Sequence, residues 1–268
     1  MKGAIMSKKL GLALGSGGAR GVAHAGLLKA LEEQGIKPDY ISGCSMGAVV
    51  GGVYASGVSA EKIYETVKTL KKRDIIGLNP AALSQMAILR SSKVRSFLCE
   101  HLAVQNIEDF PIKFCCVATD VLSGQPYIFY SGEAATAIQA SSTIPAVFSP
   151  VKFEDKLLVD GGCTCRVPIR SVKEMGADVV IAMDVLANCS QPIDEVHGIL
   201  NVVLRVFDIM DAGNSALRYE RDGMLCDLLL QPEMKGLSQY AVKDAYKAFE
   251  EGYLLAKSNM NKIKSLLE

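Results

Sequence analysis

The sequence predicts an α/β fold in which a mostly parallel sheet carries helices on both faces. The apolar run Leu10–Leu14 leads into a glycine-rich turn and then into residues 22–34, a largely apolar stretch typical of a buried helix. The same order of strand, turn and helix follows at once at residues 40–55. Two such units favour parallel strands joined by crossover helices. At 268 residues, 49% of them hydrophobic, the chain is long enough for one domain with a large core.

The later elements follow in order along the chain. Ser59 is placed to cap a helix at residues 60–70. Strand patterns occur at residues 113–119, 125–130, 151–153, 157–159, 178–183 and 225–230, and helix patterns at residues 133–141, 195–210 and 242–256. Residues 71–110 have the least regular pattern apart from a predicted helix near residues 93–101, so we expect a cap or variable region there. We assign residues 1–9 to an N-terminal extension and residues 10–268 to one domain.

Composition excludes several classes of protein. Lys and Arg together number 29, as do Asp and Glu, so there is no bulk positive charge of the kind that nucleic-acid binding requires. The eight cysteines include no C-x-x-C pair, and we expect reduced thiols without a metal site. No apolar run has the length of a signal peptide core or a membrane span. We therefore expect a cytoplasmic protein.

A Gly-x-Ser-x-Gly motif at Gly43 to Gly47 supplies the candidate nucleophile, Ser45. It stands between an apolar run and a helix of small residues. A serine on such a sharp turn presents its hydroxyl outward, and the flanking glycines lack the Cβ atoms that would obstruct the turn.

A serine hydroxyl is a weak nucleophile and needs a base. The chain contains only three histidines. His24 falls in the first predicted helix, where a core or surface role is expected, and His101 falls in the irregular region. His197 could complete a triad in the order Ser45, then Asp120 or Asp160, then histidine.

The alternative base is a carboxylate. Asp120, Asp160 and Asp184 each follow an apolar strand, and strand ends are where a doubly wound sheet places its site. Asp160 is distinguished because Gly161 and Gly162 follow it and permit close approach of a substrate or another segment.

The glycine-rich turn from Gly15 to Gly21 could donate backbone N–H groups to a developing negative charge. Phosphate binding is the rival use of such a loop. The dinucleotide pattern G-x-G-x-x-G is incomplete because position 20 is Arg20, and no Gly-Lys-Ser/Thr follows. Nucleotide binding is disfavoured, while a loose phosphate site stays open.

Three ordered blocks resemble the signature of the patatin-like phospholipase family. They are Gly17-Gly18-Ala19-Arg20-Gly21, Gly43-Cys44-Ser45-Met46-Gly47 and Asp160-Gly161-Gly162. The stretch from Ser141 to Pro150 is also similar to the family, and the resemblance covers most of residues 10–185.

The resemblance implies a three-layer α/β/α fold and a Ser-Asp dyad that hydrolyses acyl esters of lipids without a metal or other cofactor. Carried onto matching positions, Ser45 is the nucleophile and Asp160 the base. The implied oxyanion hole consists of the amides of Gly17, Gly18 and Ala19, with Met46 as a further donor and Arg20 as a brace for the loop.

Two positions depart from the family pattern. Ser16 stands where the first block often has glycine, and Arg166 precedes Val167-Pro168 where asparagine is usual before the proline. We expect the first departure to be mild and the second to alter the rim of the site or its substrate preference.

The expected partner is a lipid or acyl-ester substrate. We expect any membrane contact to be transient and peripheral. A basic set, for which a solvated surface is the favoured interpretation, could meet anionic headgroups: Lys71, Lys72, Arg73, Arg90, Lys93 and Arg95. Two other functions stay open, a regulatory or partner-binding protein of the same fold and a nucleotide-binding α/β protein.

Overall fold

The computed structural model describes residues 8–69, 77–78, 89–90, 92–187, 198–237, 239 and 245–268. Its strands are β1 (Leu10–Leu14), β2 (Tyr40–Cys44), β3 (Gly77–Leu78), β4 (Leu89–Arg90), β5 (Lys113–Asp120), β6 (Gln125–Phe129), β7 (Val151–Phe153), β8 (Lys156–Asp160), β9 (Val179–Met183) and β10 (Leu228–Leu230). Its α-helices are α1 (Ala23–Glu32), α2 (Met46–Ala55), α3 (Ala60–Thr69), α4 (Ser92–His101), α5 (Ala134–Ser141), α6 (Ile169–Glu174), α7 (Ile199–Asp222), α8 (Ala245–Ser258) and α9 (Met260–Leu267). Short 3-10 helices occur at Gly18–Val22, Ile107–Asp109, Gly161–Cys163 and Gly223–Leu225.

The main sheet has eight strands and is mostly parallel at its centre. Strands β10, β9, β1, β2 and β5 run parallel to one another in that order. Beyond them, β8 and β7 are antiparallel, and β6 pairs with the other edge of β5. Strands β3 and β4 form a separate antiparallel pair.

Helices cover both faces of this sheet and bury two separate cores. Leu10, Leu12 and Leu14 of β1 point into the larger core, which α1, α2, α5 and α8 complete. Ala13 points to the opposite face and joins a smaller core built with α6. This alternation along β1 is what a strand with both faces buried requires. The predicted three-layer α/β/α fold is therefore confirmed.

One pairing shift in the sheet brings two strand ends together. Strand β2 ends at Cys44, which pairs with Val117 of β5. Antiparallel β8 takes over the same edge of β5 one residue later, because its last residue, Asp160, pairs with Ala118. The residue after β2 and the last residue of β8 thus approach one another head to head.

Two predicted boundaries are wrong in the second half of the chain. The helix predicted at residues 195–210 is α7, which continues to Asp222, and the strand predicted at residues 225–230 forms only at Leu228–Leu230. The prediction ended the helix too early because the inward stripe of α7 beyond residue 210 is polar, with Asp211, Ser215 and Asp222 all buried. Apolar periodicity cannot detect such a stripe. The predicted last helix is α8, although its predicted residues 242–244 lie outside the described residues, and a separate helix, α9, follows it.

Candidate active site

Ser45 lies between β2 and α2 in a backbone conformation that non-glycine residues seldom adopt. Its φ is 52° and its ψ is −120°, and it is 5% exposed. Although serine often caps a helix N-terminus, the Ser45 hydroxyl makes no capping hydrogen bond to α2. The turn therefore leaves this hydroxyl available to other groups, and strain of this kind is characteristic of functional sites.

The glycines flanking Ser45 are required by close packing. A Cβ at Gly47 would lie 2.1 Å from the carbonyl oxygen of Leu14, and one at Gly43 would lie 2.5 Å from Cα of Ala48. Both distances are far below a normal contact, so the turn packs against β1 only without a side chain at position 47, and it meets the start of α2 only without one at position 43.

Asp160 is the carboxylate that faces Ser45. It is 4% exposed, and its Oδ1 accepts a hydrogen bond from the Gly162 amide at 2.8 Å. Burial raises the pKa of Asp160 from 3.8 to about 6, against the lowering effect of hydrogen bonds from the Ser45 hydroxyl and the Gly162 amide. A carboxylate with a raised pKa beside a hydroxyl is suited to accept a proton.

The glycine-rich turn is anchored from several sides. The Gly15 amide donates to Met183 O at 3.0 Å and the Ser16 amide to Arg166 O at 2.9 Å. Arg20 Nε donates to Leu237 O at 2.8 Å and so ties the turn to the segment after β10. The turn is consequently held in place before any substrate arrives.

The amides in this turn are not equivalent. The Ala19 amide donates to the carbonyl oxygen of Gln239 at 2.8 Å, whereas the Gly17 and Gly18 amides have no acceptor among the described residues. Met46 occupies the first position of α2, where an amide has no partner within the helix. Among these four amides, those of Gly17, Gly18 and Met46 therefore have no acceptor in the described residues, and that of Ala19 is already engaged.

His24 lies beneath the turn as a core residue. It is fully buried, and its Nε2 lies 2.8 Å from the Gly15 carbonyl oxygen. Burial lowers its pKa to about 4, so the ring is neutral at physiological pH and donates from Nε2 to that oxygen. Its hydrogen bond thus supports the turn.

The other predicted candidates have different surroundings. Asp120 accepts hydrogen bonds from the Ser123 hydroxyl at 2.6 Å and from two backbone amides, which makes it a turn residue. His101 Nδ1 is 2.8 Å from the Phe97 carbonyl oxygen of its own helix. His197 lies outside the described residues. Among these candidate bases in the described part of the chain, Asp160 is the carboxylate whose pKa the Ser45 hydroxyl lowers.

Arg166 does not lie on the rim of the site. Its side chain is 4% exposed and donates to Asp184 at 2.9 Å and to Asp211 at 2.8 Å, and the Tyr219 hydroxyl also donates to Asp184. This buried ionic cluster joins the end of β9 to α7. The expectation that Arg166 shapes the rim is therefore corrected, because the two carboxylates draw the guanidinium inward.

An apolar cavity of about 340 Å³ opens beside the candidate nucleophile. Gly18, Ser45 and Met46 lie on its wall, and the rest comes from α2, α3, α4 and the segment after α5. The apolar lining includes Val49, Val53, Ile63, Val67, Phe97, Leu98, Ile144 and Phe148. Helix α4, which falls in the irregular region of the sequence, thus forms part of the cavity wall.

The described residues contain neither a membrane-crossing helix nor a metal-binding cluster. No helix there has the length and hydropathy to cross a bilayer. No group of three or more His, Cys, Asp or Glu side chains in the same residues is placed to hold a metal ion.

Comparison with known protein families shows the family to which the chain belongs. A family model described as patatin-like phospholipase matches residues 12–173, more than half of the chain. The chain belongs to the patatin-like phospholipase family.

Curated relatives match about two thirds of the chain. An uncharacterized NTE family protein of Mycobacterium tuberculosis is 40% identical over 177 residues, which are 66% of this chain and 49% of the relative. A protein named lysophospholipase NTE1 from Scheffersomyces stipitis is 32% identical over 190 residues, which are 68% of this chain and 12% of that protein. The chain therefore spans about half the length of the mycobacterial relative and a small part of the fungal one.

A solved structure of the same fold comes from Pseudomonas aeruginosa. In the complex of full-length SpcU with full-length ExoU, the match has a TM-score of 0.52 at 13% identity and covers 98% of this chain and 53% of that one. At that identity the likeness supports the patatin-like fold alone.

Sequence reasoning missed Ser141 and Gln239, which contact the site. Ser141 bonds the Ser45 amide, and Gln239 occupies the Ala19 amide. Ser141 belongs to a stretch that resembles the family, which was a signal, whereas nothing near Gln239 in the sequence marks it.

Proposed function

We propose that this patatin-like protein hydrolyses acyl esters of lipids, with Ser45 as the nucleophile and Asp160 as its base. The observation that carries the proposal is a strained serine at the wall of an apolar cavity, beside a buried aspartate whose pKa is raised. Serine, carboxylate, backbone donors and apolar space are the parts that acyl transfer from a lipid needs.

In the proposed reaction, Ser45 Oγ attacks the ester carbonyl carbon while Asp160 takes the hydroxyl proton. The resulting tetrahedral intermediate collapses, the alcohol leaves with that proton, and the acyl group stays on Ser45 as an ester. A water molecule then loses a proton to Asp160 and attacks this ester. The second tetrahedral intermediate collapses, Asp160 returns the proton to Ser45 Oγ, and the fatty acid leaves.

The negative charge on the attacked oxygen is stabilised by backbone amides. Gly17, Gly18 and Met46 supply these donors, since the Ala19 amide is held by Gln239. The N-terminus of α2 adds the favourable end of a helix dipole next to Ser45.

The acyl chain occupies the apolar cavity. Ser45 and Val53 both lie on its wall and are separated by eight residues of α2, or about 12 Å along the helix axis. That length suits an acyl chain much longer than acetyl. The name of the fungal relative, lysophospholipase, supports lysophospholipids as the first substrates to test.

A lipid surface meets the protein at the N-terminal half of α7. Six apolar side chains there are each at least 45% exposed: Ile199, Val202, Val203, Val206, Ile209 and Met210. This surface adjoins the site, because Gln239 Nε2 donates to Asp208 of α7 while the Gln239 carbonyl takes the Ala19 amide. Exposed apolar patches of this kind mark interaction surfaces.

Co-sedimentation with phosphatidylcholine vesicles tests this contact. Changing Val202, Val206 and Ile209 together to serine should weaken vesicle binding severalfold and lower activity on vesicle substrates but not on a soluble ester. Leu217→Ser with Met224→Ser is the matched control, since both residues are exposed apolar side chains at or beyond the other end of α7. Equal loss in both variants would rule out a localised contact.

A fluorophosphonate probe tests the chemistry itself. The native protein should be labelled at Ser45 and should cleave lysophospholipids, and Ser45→Ala should abolish both. Asp160→Asn should reduce kcat by about a thousandfold or more, the order of loss seen when a triad member is removed. Labelling that persists in Ser45→Ala, or full activity in Asp160→Asn, would reject the proposed mechanism.

A further inference from the structure

We infer that Ser141 is a positioning residue that holds Ser45 in register with Asp160 by binding the Ser45 amide. This inference rests on the proposed function. Ser141 is the last residue of α5 and is fully buried. Its Oγ accepts a hydrogen bond from the Ser45 amide at 3.0 Å and donates one to the Val117 carbonyl oxygen at 2.6 Å.

These two hydrogen bonds fix the orientation of the Ser141 hydroxyl. A hydroxyl has one proton to donate, and here the Val117 carbonyl takes it, so a lone pair faces the Ser45 amide. Val117 belongs to β5 in the centre of the sheet. Ser141 therefore connects the strained turn to a rigid element of the fold.

The Ser45 backbone has particular need of such a contact. Its φ of 52° is costly for a residue with a side chain, and it persists only where surrounding contacts impose it. As the residue before the first turn of α2, Ser45 gains no helical hydrogen bond for its own amide. Without the Ser141 hydroxyl, that buried amide would lose its acceptor and the turn would be free to relax.

The short segment at residues 141–144 also holds Asp160. The Asp160 amide donates to the carbonyl oxygen of Thr143 at 2.8 Å, two residues after Ser141. Ser142 and Ile144 of this segment line the cavity. Residues 141–144 thus contact the nucleophile, the base and the cavity wall, so the distance between the two reacting side chains depends on this segment.

Ser56 offers a matched comparison at the other end of α2. It is also buried, donates from Oγ to a carbonyl oxygen, that of Val53 at 2.7 Å, and accepts from a backbone amide, that of Ala103 at 3.0 Å. It does not line the cavity. Loss of either hydroxyl removes the acceptor of one backbone amide, but Ala103 is exposed to solvent whereas Ser45 is buried, so Ser141→Ala should lower stability at least as much as Ser56→Ala.

The experiment compares these two variants in urea unfolding, steady-state kinetics and rate of fluorophosphonate labelling. We expect Ser141→Ala to reduce kcat and the labelling rate about 10- to 100-fold with KM within about twofold of native, since small misplacement of a nucleophile has effects of this size. Ser56→Ala should keep kcat within about twofold. The acid limb of the pH profile should move to higher pH only in Ser141→Ala, because the Ser45 hydrogen bond lowers the pKa of Asp160.

A second variant covers the case in which Ser141→Ala fails to fold. Ser141→Cys keeps the size of the side chain with a weaker acceptor, and it should give a kcat between native and the alanine variant. Equal loss of kcat in Ser141→Ala and Ser56→Ala, native kcat in Ser141→Ala or Ser141→Cys, or a loss confined to KM would overturn the positioning role. Absence of Ser45 labelling in the native protein would instead reject the proposed function, and the role of Ser141 with it.

Discussion

Strand β8 ends in a buried aspartate, and another buried aspartate directly follows β9. The two carboxylates differ in whether they form an ion pair with a cation. Asp184 follows β9, is fully buried, and bonds the Arg166 guanidinium and the Tyr219 hydroxyl. Asp160 ends β8, accepts a hydrogen bond from the Gly162 amide and is influenced by the Ser45 hydroxyl, and no cation forms an ion pair with it among the described residues.

This difference shows how one fold assigns unlike roles to like residues. The charge of Asp184 is compensated by an ion pair, so it serves to join β9 to α7. The charge of Asp160 is not compensated, and burial raises its pKa to about 6. A carboxylate that is costly to ionise gains most from taking the proton of a nearby hydroxyl.

The largest expected effect comes from removing the cation of the ionic cluster. Arg166→Met leaves Asp184 and Asp211 buried without their partner and should destabilise the protein by about 3–5 kcal/mol in urea unfolding. Arg170→Met is the control, because Arg170 is 49% exposed in its pair with Asp222 and such pairs contribute about 1 kcal/mol or less. Similar losses in both variants would contradict the buried character of the cluster.

The second expected effect is a gain in the free energy of unfolding. In the folded protein the pKa of Asp160 is raised from 3.8 to about 6, so ionising it costs stability as pH rises through this window. Asp160→Asn removes that cost and should raise the free energy of unfolding by about 2–3 kcal/mol at pH 7.5. Well below pH 3.8, where Asp160 is protonated in both the folded and the unfolded chain, the difference should vanish.

Asp120→Asn is the control for the direction of this stability change. The Ser123 hydroxyl and backbone amides lower the pKa of Asp120, so its ionised form stabilises the fold above pH 3.8 and this contribution is lost as pH falls. Asp120→Asn should therefore destabilise the protein at pH 7.5. A gain in stability for both asparagine variants would remove the distinction between the strand ends.

The smallest expected effect concerns the electrostatic coupling between the ionic cluster of Arg166 and the candidate active site. The charge of Asp211 adds to the rise in the pKa of Asp160. Under the proposed mechanism, kcat/KM of the native protein should fall as pH drops through about 6, since Asp160 must be ionised to act as the base. Asp211→Asn should move this limb to lower pH by a fraction of a unit, and movement to higher pH would contradict the stated coupling.

Much of the fold was predictable because its signals are local. The opening strand, turn and helix units, the hairpin of β7 and β8, and most buried strands follow from apolar runs bounded by glycine and charged residues. The extent of α7 was not predictable, because its inward residues bond Arg166 and Arg170 in place of packing in an apolar core. The candidate residues Ser45 and Asp160 were found through motifs, since each requires adjacent glycines.

The sequence by itself determined the fold class, the family and the pair of residues to test. Only the tertiary structure decided which neighbours those residues have. It placed Arg166 in a buried cluster, assigned the Ala19 amide to Gln239, and brought Ser141 to the Ser45 amide across 96 residues of chain. The physical reason is that hydrogen bonds and charge compensation depend on distances across the fold, which residue spacing along the chain does not specify.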